Sequence, residues 1–384
     1  MRLLLVTQDF PPDVGGIQTY AAELAPKLAE RTDHFAVLAP QRPGSEQIDT
    51  KLSFPVLRVP VRPDLLPLAM LTRLPGLVRR ERFDAILHAQ WQTAIASTLA
   101  RRLSGYPRAI VSAAHGRELL FNPFSRAPAV QAYNQTRKWV LGHIDAFTPV
   151  SSFTGRLLQN LGVPSEKVRV VTNGTDPDLF RPMDDRAVRE RLGLEGKFVI
   201  LTVSRLIARK GGDTVIQALP EIVADVPNVT FVIIGEGPFM CELERQAQAL
   251  RVEDYVLFLG RIPHEQLPIY YNTSDVFVLP SREEPPEVEG LPISFLEAEA
   301  CGKPVIGARS GGIPDAVLEG ETGLLVPPDD PQALGEAVLR LAHDPEYARR
   351  LGRQGREYVL RRGNWEYAGS SIFEVLQRAL VGIA

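Results

Sequence analysis

The chain alternates short apolar runs with helical patterns from its first residues almost to its last. Runs typical of buried strands lie at residues 3–7, 35–39, 56–59, 85–88, 109–113, 146–150, 168–171, 198–203, 230–234, 256–259, 276–279, 304–306 and 323–326. Helical patterns lie up to about residue 30 and at 64–82, 91–103, 126–143, 151–161, 211–224, 238–250, 265–273, 331–342, 346–361 and 365–381. Short apolar strands separated by helices are typical of parallel sheets that are covered on both faces. The pattern therefore predicts an α/β, doubly wound architecture.

The length of 384 residues is too great for one ordinary core and suits two domains. We expect an N-terminal domain over residues 1–180, a second domain over 190–362, and a last helix over 363–384. Residues 174–196, which are rich in charges and contain two prolines, have the composition of an interdomain connection. Two doubly wound domains that face each other bind ligands in the cleft at the carboxyl ends of their strands.

Composition excludes several classes of protein. The two cysteines, Cys241 and Cys301, give neither a disulfide framework nor a metal-ligand spacing, as expected in a reducing compartment. The N-terminus lacks the apolar run of a signal peptide, and no segment reaches the length of a membrane span. We therefore expect a cytoplasmic protein.

The net charge of −3 conceals a difference between the two halves of the chain. Residues 1–193 carry 25 Lys and Arg against 18 Asp and Glu, about +7, and the remaining residues carry about −10. A basic half suggests an anionic partner, such as a membrane surface or a phosphorylated acceptor. Chance variation in surface charge is the alternative explanation.

One stretch combines a predicted helix start with two carboxylates, Glu289 and Glu297. Gly290, Leu291 and Pro292 precede the helix or form its first turn, and a Gly-Lys-Pro sequence ends it within about three turns. Free N–H groups at a helix N-terminus bind anions, and carboxylates on either side suit hydroxyl groups. A sugar, a diphosphate and a ribose together fit that description, and a capped surface helix with ordinary acidic residues fits it equally.

The loops after the predicted strands of the second domain contain further candidates. Arg205 and Lys210 follow strand 198–203, where a guanidinium and an ammonium suit a diphosphate. Gly237 follows strand 230–234, and Arg261 with Ile262 follows strand 256–259, where backbone groups could hold a flat base. Solvated basic loops and tight turns are the ordinary alternatives.

The first domain contributes candidates in the same positions. Gly15 and Gly16 lie between a strand and a helix, although they do not form the dinucleotide-binding glycine fingerprint. His115 follows strand 109–113 and precedes a glycine, which favours a functional role for it. The remaining histidines lack such a setting, and we expect them to be structural: His34, His88, His143, His264 and His343.

Two acidic patterns do not predict a metal site. Asp176 and Asp178 flank Pro177 in a sequence that favours a turn. The glutamates between 283 and 289, interrupted by two prolines, predict a mobile, solvated loop. We therefore expect no metal ligands and no cofactor.

Taken together, these motifs resemble retaining glycosyltransferases of family 4, which have the GT-B fold of two Rossmann-like domains. The resemblance covers essentially the whole chain, and two glutamates eight positions apart downstream of Arg205 and Lys210 are its most specific feature. The N-terminal sequence Asp9-Phe10-Pro11-Pro12, followed by Gly15-Gly16-Ile17-Gln18, is most similar to bacterial phosphatidylinositol mannoside mannosyltransferases. Ser204 departs from the glycine that often precedes the arginine in the family.

The resemblance implies a role for each residue. Glu297 would bind the ribose hydroxyls, and Glu289 the hydroxyls of the transferred sugar. Arg205 and Lys210 would neutralise the diphosphate. His115 would contact the sugar and the leaving phosphate. Other donor-binding residues would be Gly15, Gly16, Gly237, Arg261, Ile262, Gly290, Leu291, Pro292 and Ile293.

The resemblance also implies an acceptor-side N-terminal domain, a nucleotide-sugar-binding C-terminal domain, and a last helix that packs back on the N-terminal domain. We expect a metal-independent, retaining transfer of a hexose to a hydroxyl of a lipid-linked or saccharide acceptor, with no nucleic acid as partner. Mannose from GDP-mannose is the first choice of donor, and a UDP-sugar is the alternative. Asp13, Gln18 and Arg117 are the expected acceptor-binding residues. A sugar-nucleotide 2-epimerase and a sugar-nucleotide sensor are the competing functions.

Residues 64–82 carry leucines and four arginines, a composition that suits the surface of an anionic membrane. Pro67 and Pro75 interrupt the segment, and a helix packed on the core explains its leucines equally well. Contact with the inner face of the membrane is therefore a separate hypothesis.

Overall fold

The computed structural model describes residues 1–120 and 128–382 and divides the chain into two compact units. Unit 1 consists of residues 1–173, 285–290 and the chain from 365 onwards. Unit 2 consists of residues 174–284 and 291–364. Residues 285–290 thus belong with unit 1, whereas the sequence predicts one continuous second domain over residues 190–362.

Within the described residues, unit 1 contains a parallel sheet of six strands in the order β3-β2-β1-β4-β5-β6. Its strands are β1 Arg2–Val6, β2 His34–Pro40, β3 Val56–Val59, β4 Ala85–His88, β5 Ala109–Ala114 and β6 Ala146–Pro149. Leu3, Leu4 and Leu5 are fully buried because helices cover both faces of the sheet. The strand order reverses between β1 and β4, so the loops after these two strands lie at the topological switch point, where such sheets bind ligands.

Several longer helices of unit 1 pack apolar side chains on this sheet. The helices of this unit are α1 Gly16–Ala29, α2 Ser45–Asp49, α3 Leu66–Glu81, α4 Ala94–Ser104, α5 Arg117–Leu120, α6 Pro128–His143, α7 Ser152–Asn160 and, far later in the chain, α16 Trp365–Leu380. In α3 the buried side chains are Leu66, Met70, Leu74 and Val78, a spacing of four residues that forms one stripe. This stripe packs on Leu4 and other buried residues of β1 and β2.

In the described chain, unit 2 has a second parallel sheet of six strands in the order β12-β11-β10-β7-β8-β9. The strands are β7 Phe198–Val203, β8 Val229–Ile234, β9 Val256–Gly260, β10 Val276–Leu279, β11 Val305–Ala308 and β12 Gly323–Val326. Here the order reverses between β7 and β10. The loops that follow these two strands therefore occupy the switch point of this sheet.

The helices of unit 2 are α8 Arg186–Arg191, α9 Gly212–Asp225, α10 Met240–Ala249, α11 Leu267–Thr273, α12 Ile293–Ala300, α13 Ile313–Ala316, α14 Pro331–His343 and α15 Pro345–Arg361. Val215, Ile216 and Leu219 of α9 are fully buried and belong to one core cluster with Ile200 and Phe231 of the sheet. The alternation of strands and helices that the sequence predicts is thus confirmed in both units.

Two local predictions are wrong. Residues 168–171 do not form a strand: Val168 makes only an isolated bridge to Phe147, and the N–H of Val171 donates to the carbonyl of Pro149 at 3.0 Å. The charged segment 174–196 is not a free connection, because it contains α8 and belongs to unit 2. The guanidinium of Arg189 holds it there by donating to the carbonyl of Thr273 at 2.6 Å.

Across the two described ranges, no helix is long and apolar enough to cross a membrane.

Candidate active site

The loop after β7 carries Arg205 and Lys210 to the switch point of unit 2. It turns at Gly211, whose φ of 73° lies in the left-handed region. A Cβ on this glycine would lie 2.3 Å from the carbonyl oxygen of Pro280, which follows β10. Only glycine fits there, because the two loops at the switch point touch through their backbones. The close approach fixes the position of Lys210 beside the end of β10.

The loop after β8 packs equally closely on the same segment. The N–H of Leu206 donates to the carbonyl of Glu236 at 2.9 Å, and a Cβ on Gly237 would lie 2.2 Å from the carbonyl oxygen of Leu206. Arg205 lies directly before this contact, with its side chain exposed. The structure therefore brings together Arg205 and Gly237, as the sequence predicts for the carboxyl ends of neighbouring parallel strands.

Arg282 stabilises the loop that carries Lys210, a role that no sequence motif predicts. Its backbone N–H donates to the carbonyl of Arg209 at 2.8 Å. Its guanidinium contacts Asp213 at 2.9 Å and Asp329 at 2.8 Å, and only 17% of its side chain is exposed. Since these contacts come from both sides of Lys210 in the chain, Arg282 holds the loop in one conformation.

Helix α12 begins at Ile293, so Leu291 precedes the helix and does not form part of its first turn. Pro292 is the residue before the helix, and no side chain caps the first turn. Leu291 is buried. The first-turn N–H groups of α12 therefore keep the capacity to bind an anion that the sequence predicts for them.

Glu297 lies one turn into α12 and is only 7% exposed. The hydroxyl of Tyr271 donates to its Oε2 at 2.6 Å, and Nδ1 of His264 lies 3.9 Å from its Oε1. Burial and the Glu297 carboxylate raise the pKa of Tyr271 well above its usual range, so this tyrosine stays a donor. Arg261 and Ile262 shortly precede His264 in the sequence, so the loop that contains them passes close to Glu297.

His264 was expected to be a structural histidine, and its surroundings do not match that expectation. Its side chain is 45% exposed, and its ring packs edge-on against Phe180. By contrast, His88 is fully buried, with its ring nitrogens 2.7 Å from Thr93 Oγ1 and 2.8 Å from Ser97 Oγ. Burial lowers the pKa of His88 to about 3, as expected for a neutral core residue.

In unit 1, His115 directly follows β5 and is held as a neutral ring. Burial lowers its pKa to about 4, and a hydrogen bond to the carbonyl of Ala89 offsets only part of this shift. Its Nε2 is buried without a hydrogen-bond partner among the described residues. The ring also packs edge-on against Tyr20, with centroids 4.8 Å apart. A neutral imidazole that donates from Nδ1 offers Nε2 as an acceptor.

Glu118 shapes the turn that follows His115. Its carboxylate accepts a hydrogen bond from the backbone N–H of His115 at 2.6 Å, although burial raises the pKa of Glu118. Its own carbonyl accepts from the indole of Trp91 at 3.1 Å. Gly116, which lies between His115 and Glu118 in the sequence, has a φ of 117°, a conformation that favours glycine.

The loop that carries Glu289 packs on this turn, so unit 1 brings Glu289 and His115 together. A Cβ on Gly290 would lie 2.1 Å from the carbonyl oxygen of His115, and a Cβ on Gly116 would lie 3.0 Å from Val288. Glu289 is only 6% exposed. The prediction of a mobile, solvated acidic loop is therefore wrong for Glu289, because the loop is anchored through close backbone contact.

The other glutamates of this loop are also paired. Arg117 Nε lies 2.7 Å from Glu287 Oε1, and the side chain of Arg117 is 71% exposed. Glu283 accepts from the N–H of Gly311 at 2.9 Å. The expected acceptor-binding residue Arg117 is thus linked to the loop that carries Glu289.

Asp13, Gln18 and the glycine pair lie in the loop after β1 and at the start of α1. Gln18 Nε2 donates to Asp9 Oδ1 at 2.9 Å, and Gln90, which follows β4, donates to Asp9 Oδ2 at 3.1 Å. Burial raises the pKa of Asp9, and the Gln90 hydrogen bond opposes that shift. Gly16 is exposed, and a Cβ there would meet nothing within 4 Å. Packing within the chain therefore does not explain why position 16 is glycine.

The Asp-Pro-Asp sequence forms a turn, as predicted. Asp176 Oδ1 accepts from the N–H groups of Asp178 and Leu179 at 2.9 and 3.2 Å. Within residues 1–120 and 128–382, no group of three or more His, Cys, Asp or Glu side chains could hold a metal ion.

Comparison with known proteins places this arrangement in a family. The model for "Glycosyltransferase Family 4" matches residues 14–179, and the model for "Glycosyl transferases group 1" matches residues 184–358. The chain is also 37% identical to the GDP-mannose-dependent α-(1-6)-phosphatidylinositol monomannoside mannosyltransferase of Mycolicibacterium smegmatis, covering 97% of this chain and 98% of that protein. It belongs to glycosyltransferase family 4.

This family 4 glycosyltransferase has further relatives of similar length. The Mycobacterium tuberculosis protein of the same name is 33% identical, over 98% of each chain. Among solved structures, Anabaena HepE in complex with UDP has a TM-score of 0.82 at 22% identity, covering 98% of this chain and all of that one. A glycosyltransferase from Rickettsia africae has a TM-score of 0.81 at 16% identity, covering 99% and 98%. The two-domain GT-B fold is thereby confirmed.

Proposed function

We propose that this glycosyltransferase transfers mannose from GDP-mannose to a hydroxyl of a phosphatidylinositol mannoside lipid, with retention and without a metal ion. The observation that carries the proposal is the full-length likeness to relatives named for that reaction, at 37% and 33% identity. A further relative, from Corynebacterium glutamicum, is named for a monoacylated lipid of the same kind and is 30% identical over 98% of each chain. The likeness to UDP complexes is weaker, at 22% identity, and supports the fold rather than the base.

The cations at the switch point of unit 2 would stabilise the leaving group. Cleavage of the bond between the anomeric carbon and the phosphate oxygen leaves GDP with growing negative charge. Arg205, Lys210 and the first-turn N–H groups of α12 would bind this charge most strongly in the transition state. Because these groups supply the positive charge, the proposal requires no divalent metal. Glu297 would accept hydrogen bonds from the ribose, held in place by Tyr271.

Retention would follow from attack on the face that the diphosphate leaves. The acceptor oxygen bonds to the anomeric carbon as the bond to the phosphate oxygen breaks, and that phosphate oxygen takes the acceptor's proton. Glu289 would hold hydroxyls of mannose. His115 would accept a hydrogen bond from a sugar hydroxyl through Nε2. In the neutral ring that donates from Nδ1, Nε2 has no hydrogen to donate and would repel a phosphate oxygen. The proposal thus drops the contact between His115 and the leaving phosphate.

A lipid acceptor requires the enzyme to reach a membrane, and α3 supplies a surface for that contact. Besides its buried stripe, the α3 region exposes Leu65 at 44%, Leu68 at 64% and Leu71 at 37%. Arg73 and Arg79 on the same helix are exposed. Exposed leucines with neighbouring arginines suit the surface of an anionic bilayer. Flotation with anionic and neutral vesicles tests this, and equal recovery in both vesicle fractions would contradict it.

Product analysis with a panel of donors and acceptors tests the proposal. GDP-mannose and UDP-glucose are each incubated with phosphatidylinositol monomannoside vesicles, and the lipids are analysed by mass spectrometry. We expect one added mannose from GDP-mannose only, with an α linkage by NMR and equal rates with and without EDTA. An altered sugar nucleotide from donor alone would indicate an epimerase, and binding without turnover a sensor.

Removal of a cation separates chemistry from folding. Arg205→Ala should lower turnover by a factor of about 100 or more, because a charged group that binds the leaving phosphate is lost. The matched control is Arg353→Ala, which removes an exposed arginine of the same unit. Both variants should melt within a few degrees of the unaltered protein. Full turnover in Arg205→Ala would refute its role.

A further inference from the structure

A single arginine of α15, Arg356, connects three parts of unit 2. Its Nη1 donates to the carbonyls of Pro177 at 3.1 Å and of Phe180 at 2.9 Å, both in the segment that precedes α8. The same nitrogen donates to the carbonyl of Ala300, the last residue of α12, at 2.6 Å. Arg356 therefore holds the segment that enters unit 2 against the C-terminal end of α12.

The position of Arg356 is fixed because α15 packs closely on the end of α12. A Cβ on Gly352 would lie 2.0 Å from the carbonyl oxygen of Gly302, and a Cβ on Gly355 would lie 3.0 Å from Cγ of Glu299. The last carbonyls of a helix lack partners within it and carry partial negative charge, which favours a cation there. An arginine at position 356 thus meets the end of α12 with little freedom to move.

Phe180, whose carbonyl Arg356 binds, packs against two rings of the candidate site. The side chain of Phe180 is buried. Its ring meets that of His264 edge-on, with centroids 5.2 Å apart, and that of Tyr271 edge-on at 5.7 Å. Edge-to-face pairs have a preferred geometry, so a shift of Phe180 displaces both neighbours. The backbone contacts of Arg356 therefore set where these two rings lie.

Both of these rings lie beside Glu297. The hydroxyl of Tyr271 donates to Oε2 of Glu297 at 2.6 Å, and Nδ1 of His264 lies 3.9 Å from Oε1. Glu297 also shares the last turn of α12 with Ala300, whose carbonyl Arg356 binds. Arg356 thus acts on the Glu297 carboxylate in two ways, through the helix that carries it and through the rings that lie beside it.

We infer that Arg356 is a positioning residue for nucleotide binding, which holds Phe180 and the end of α12 so that the Glu297 carboxylate meets the ribose hydroxyls. The inference rests on the proposed function, in which Glu297 accepts hydrogen bonds from the ribose. Arg356 acts through these groups and does not itself touch the nucleotide. Its loss should therefore weaken the ribose contact and leave the diphosphate contacts of Arg205 and Lys210 in place.

Steady-state kinetics tests whether Arg356 serves binding or chemistry. Arg356→Gln should raise the KM for GDP-mannose about 5- to 20-fold, since one or two hydrogen bonds to the ribose weaken. The kcat should stay within about twofold, because the ribose contact is made equally in the ground state and the transition state. The control Arg353→Gln removes an exposed arginine of the same helix and should change neither constant. An unchanged KM, or a fall in kcat alone, would overturn the inference.

Titration calorimetry with two diphosphates separates an effect on the ribose from a general loosening of unit 2. In the unaltered protein, 2′,3′-dideoxy-GDP should bind more weakly than GDP, because it offers Glu297 no ribose hydroxyl groups. Arg356→Gln should weaken GDP binding about 5- to 20-fold and 2′,3′-dideoxy-GDP binding less than about twofold, since the contact that Arg356 orients is already absent. A merely structural defect would weaken both ligands equally, and that result would overturn the inference.

Two further variants keep the test decisive if Arg356→Gln folds poorly. Arg356→Lys retains a positive charge and three N–H groups, one for each carbonyl, and should keep the affinity for GDP within about threefold of that of the unaltered protein. Phe180→Leu leaves Arg356 in place but removes the edge-on contacts with the two neighbouring rings, so it should weaken GDP binding more than 2′,3′-dideoxy-GDP binding. A loss in Phe180→Leu that is equal for both ligands would overturn the inference.

Binding and transfer, measured separately, distinguish this inference from the proposed function. If mannose is transferred but Arg356→Gln weakens both diphosphates equally, Arg356 does not position the ribose site, although the function stands. If only GDP binding is weakened and no lipid receives mannose, the inference stands and the proposed reaction fails. Equal affinity of the unaltered protein for GDP and 2′,3′-dideoxy-GDP overturns the inference, because Glu297 then binds no ribose hydroxyl.

Discussion

Glu299 offers a sharp test of how burial controls stability in unit 2. It lies on α12, is fully buried, and neither of its carboxyl oxygens has a hydrogen-bond partner among the described residues. Burial raises its pKa from 4.5 to about 8, and the nearby Thr322 hydroxyl opposes this shift only in part. Gly355 of α15 packs against it so closely that a Cβ there would lie 3.0 Å from its Cγ. Glu299 is therefore protonated in the folded protein at neutral pH.

The raised pKa makes stability depend on pH with a definite sign. Below about pH 4.5 the carboxyl is protonated in both the folded and the unfolded chain. As the pH rises from about 4.5 to about 8, the unfolded chain loses this proton and the folded chain keeps it, so the free energy of unfolding falls. Each pKa unit corresponds to about 1.4 kcal/mol, so the loss is at most about 5 kcal/mol.

Glu299→Gln removes this titration while keeping the size of the side chain. We expect the variant to unfold at nearly the same temperature as the unaltered protein at pH 5 and several degrees higher at pH 8.5. Calorimetry at pH 5, 6.5 and 8.5 measures the difference in Tm of the transition in which unit 2, which contains Glu299, unfolds. Glu357→Gln, on the exposed face of α15, is the matched control and should show no pH-dependent difference. Parallel curves for Glu299→Gln and the unaltered protein would refute the argument.

Three further predictions concern the site. Tyr271→Phe removes the 2.6 Å hydrogen bond to Glu297 and should weaken GDP binding about 3- to 10-fold by calorimetry; unchanged affinity would show that Glu297 needs no such support. Gly290→Ala should lower turnover at least tenfold, because its Cβ would lie 2.1 Å from the His115 carbonyl, whereas Gly76→Ala, which meets nothing within 4 Å, should not. His115, whose pKa is lowered to about 4, should keep the NMR shifts of a neutral ring down to pH 5.5; a midpoint near 6.5 would contradict its burial.

Much of the fold was predictable because strands and helices are encoded locally. The run at residues 323–326 is the observed β12, and the runs at 56–59, 85–88, 198–203 and 276–279 are likewise observed strands. The positions of Arg205 and Lys210 also followed, since parallel strands bring the loops at their carboxyl ends to one edge of a sheet. The failure at 168–171 has a non-local cause, because an apolar run makes a strand only where a neighbouring strand offers a continuous ladder, and Val168 makes only an isolated bridge to Phe147.

Other features depend on contacts between distant parts of the chain, which periodicity does not encode. His264 lacks the sequence setting of His115 and was expected to be structural, and only folding brings it 3.9 Å from Glu297. Arg282 meets Asp213 and Asp329, which lie 69 and 47 residues away. Glu118 follows His115 so closely that its role could have been found from the sequence, because an acidic residue three positions on can accept from a turn N–H.

The six residues 285–290 make each unit discontinuous in the sequence. The chain leaves unit 2 after Glu284 and returns to it at Leu291, and unit 1 is completed only by α16 near the C-terminus. A fragment ending at Asn173 would lack Val288, which packs against Gly116, and Trp365, whose ring lies 6.2 Å from that of Tyr20. During synthesis, unit 1 therefore cannot be completed until the chain has been made through α16. A gene fusion that exchanges unit 1 between relatives must carry three separate segments, not one.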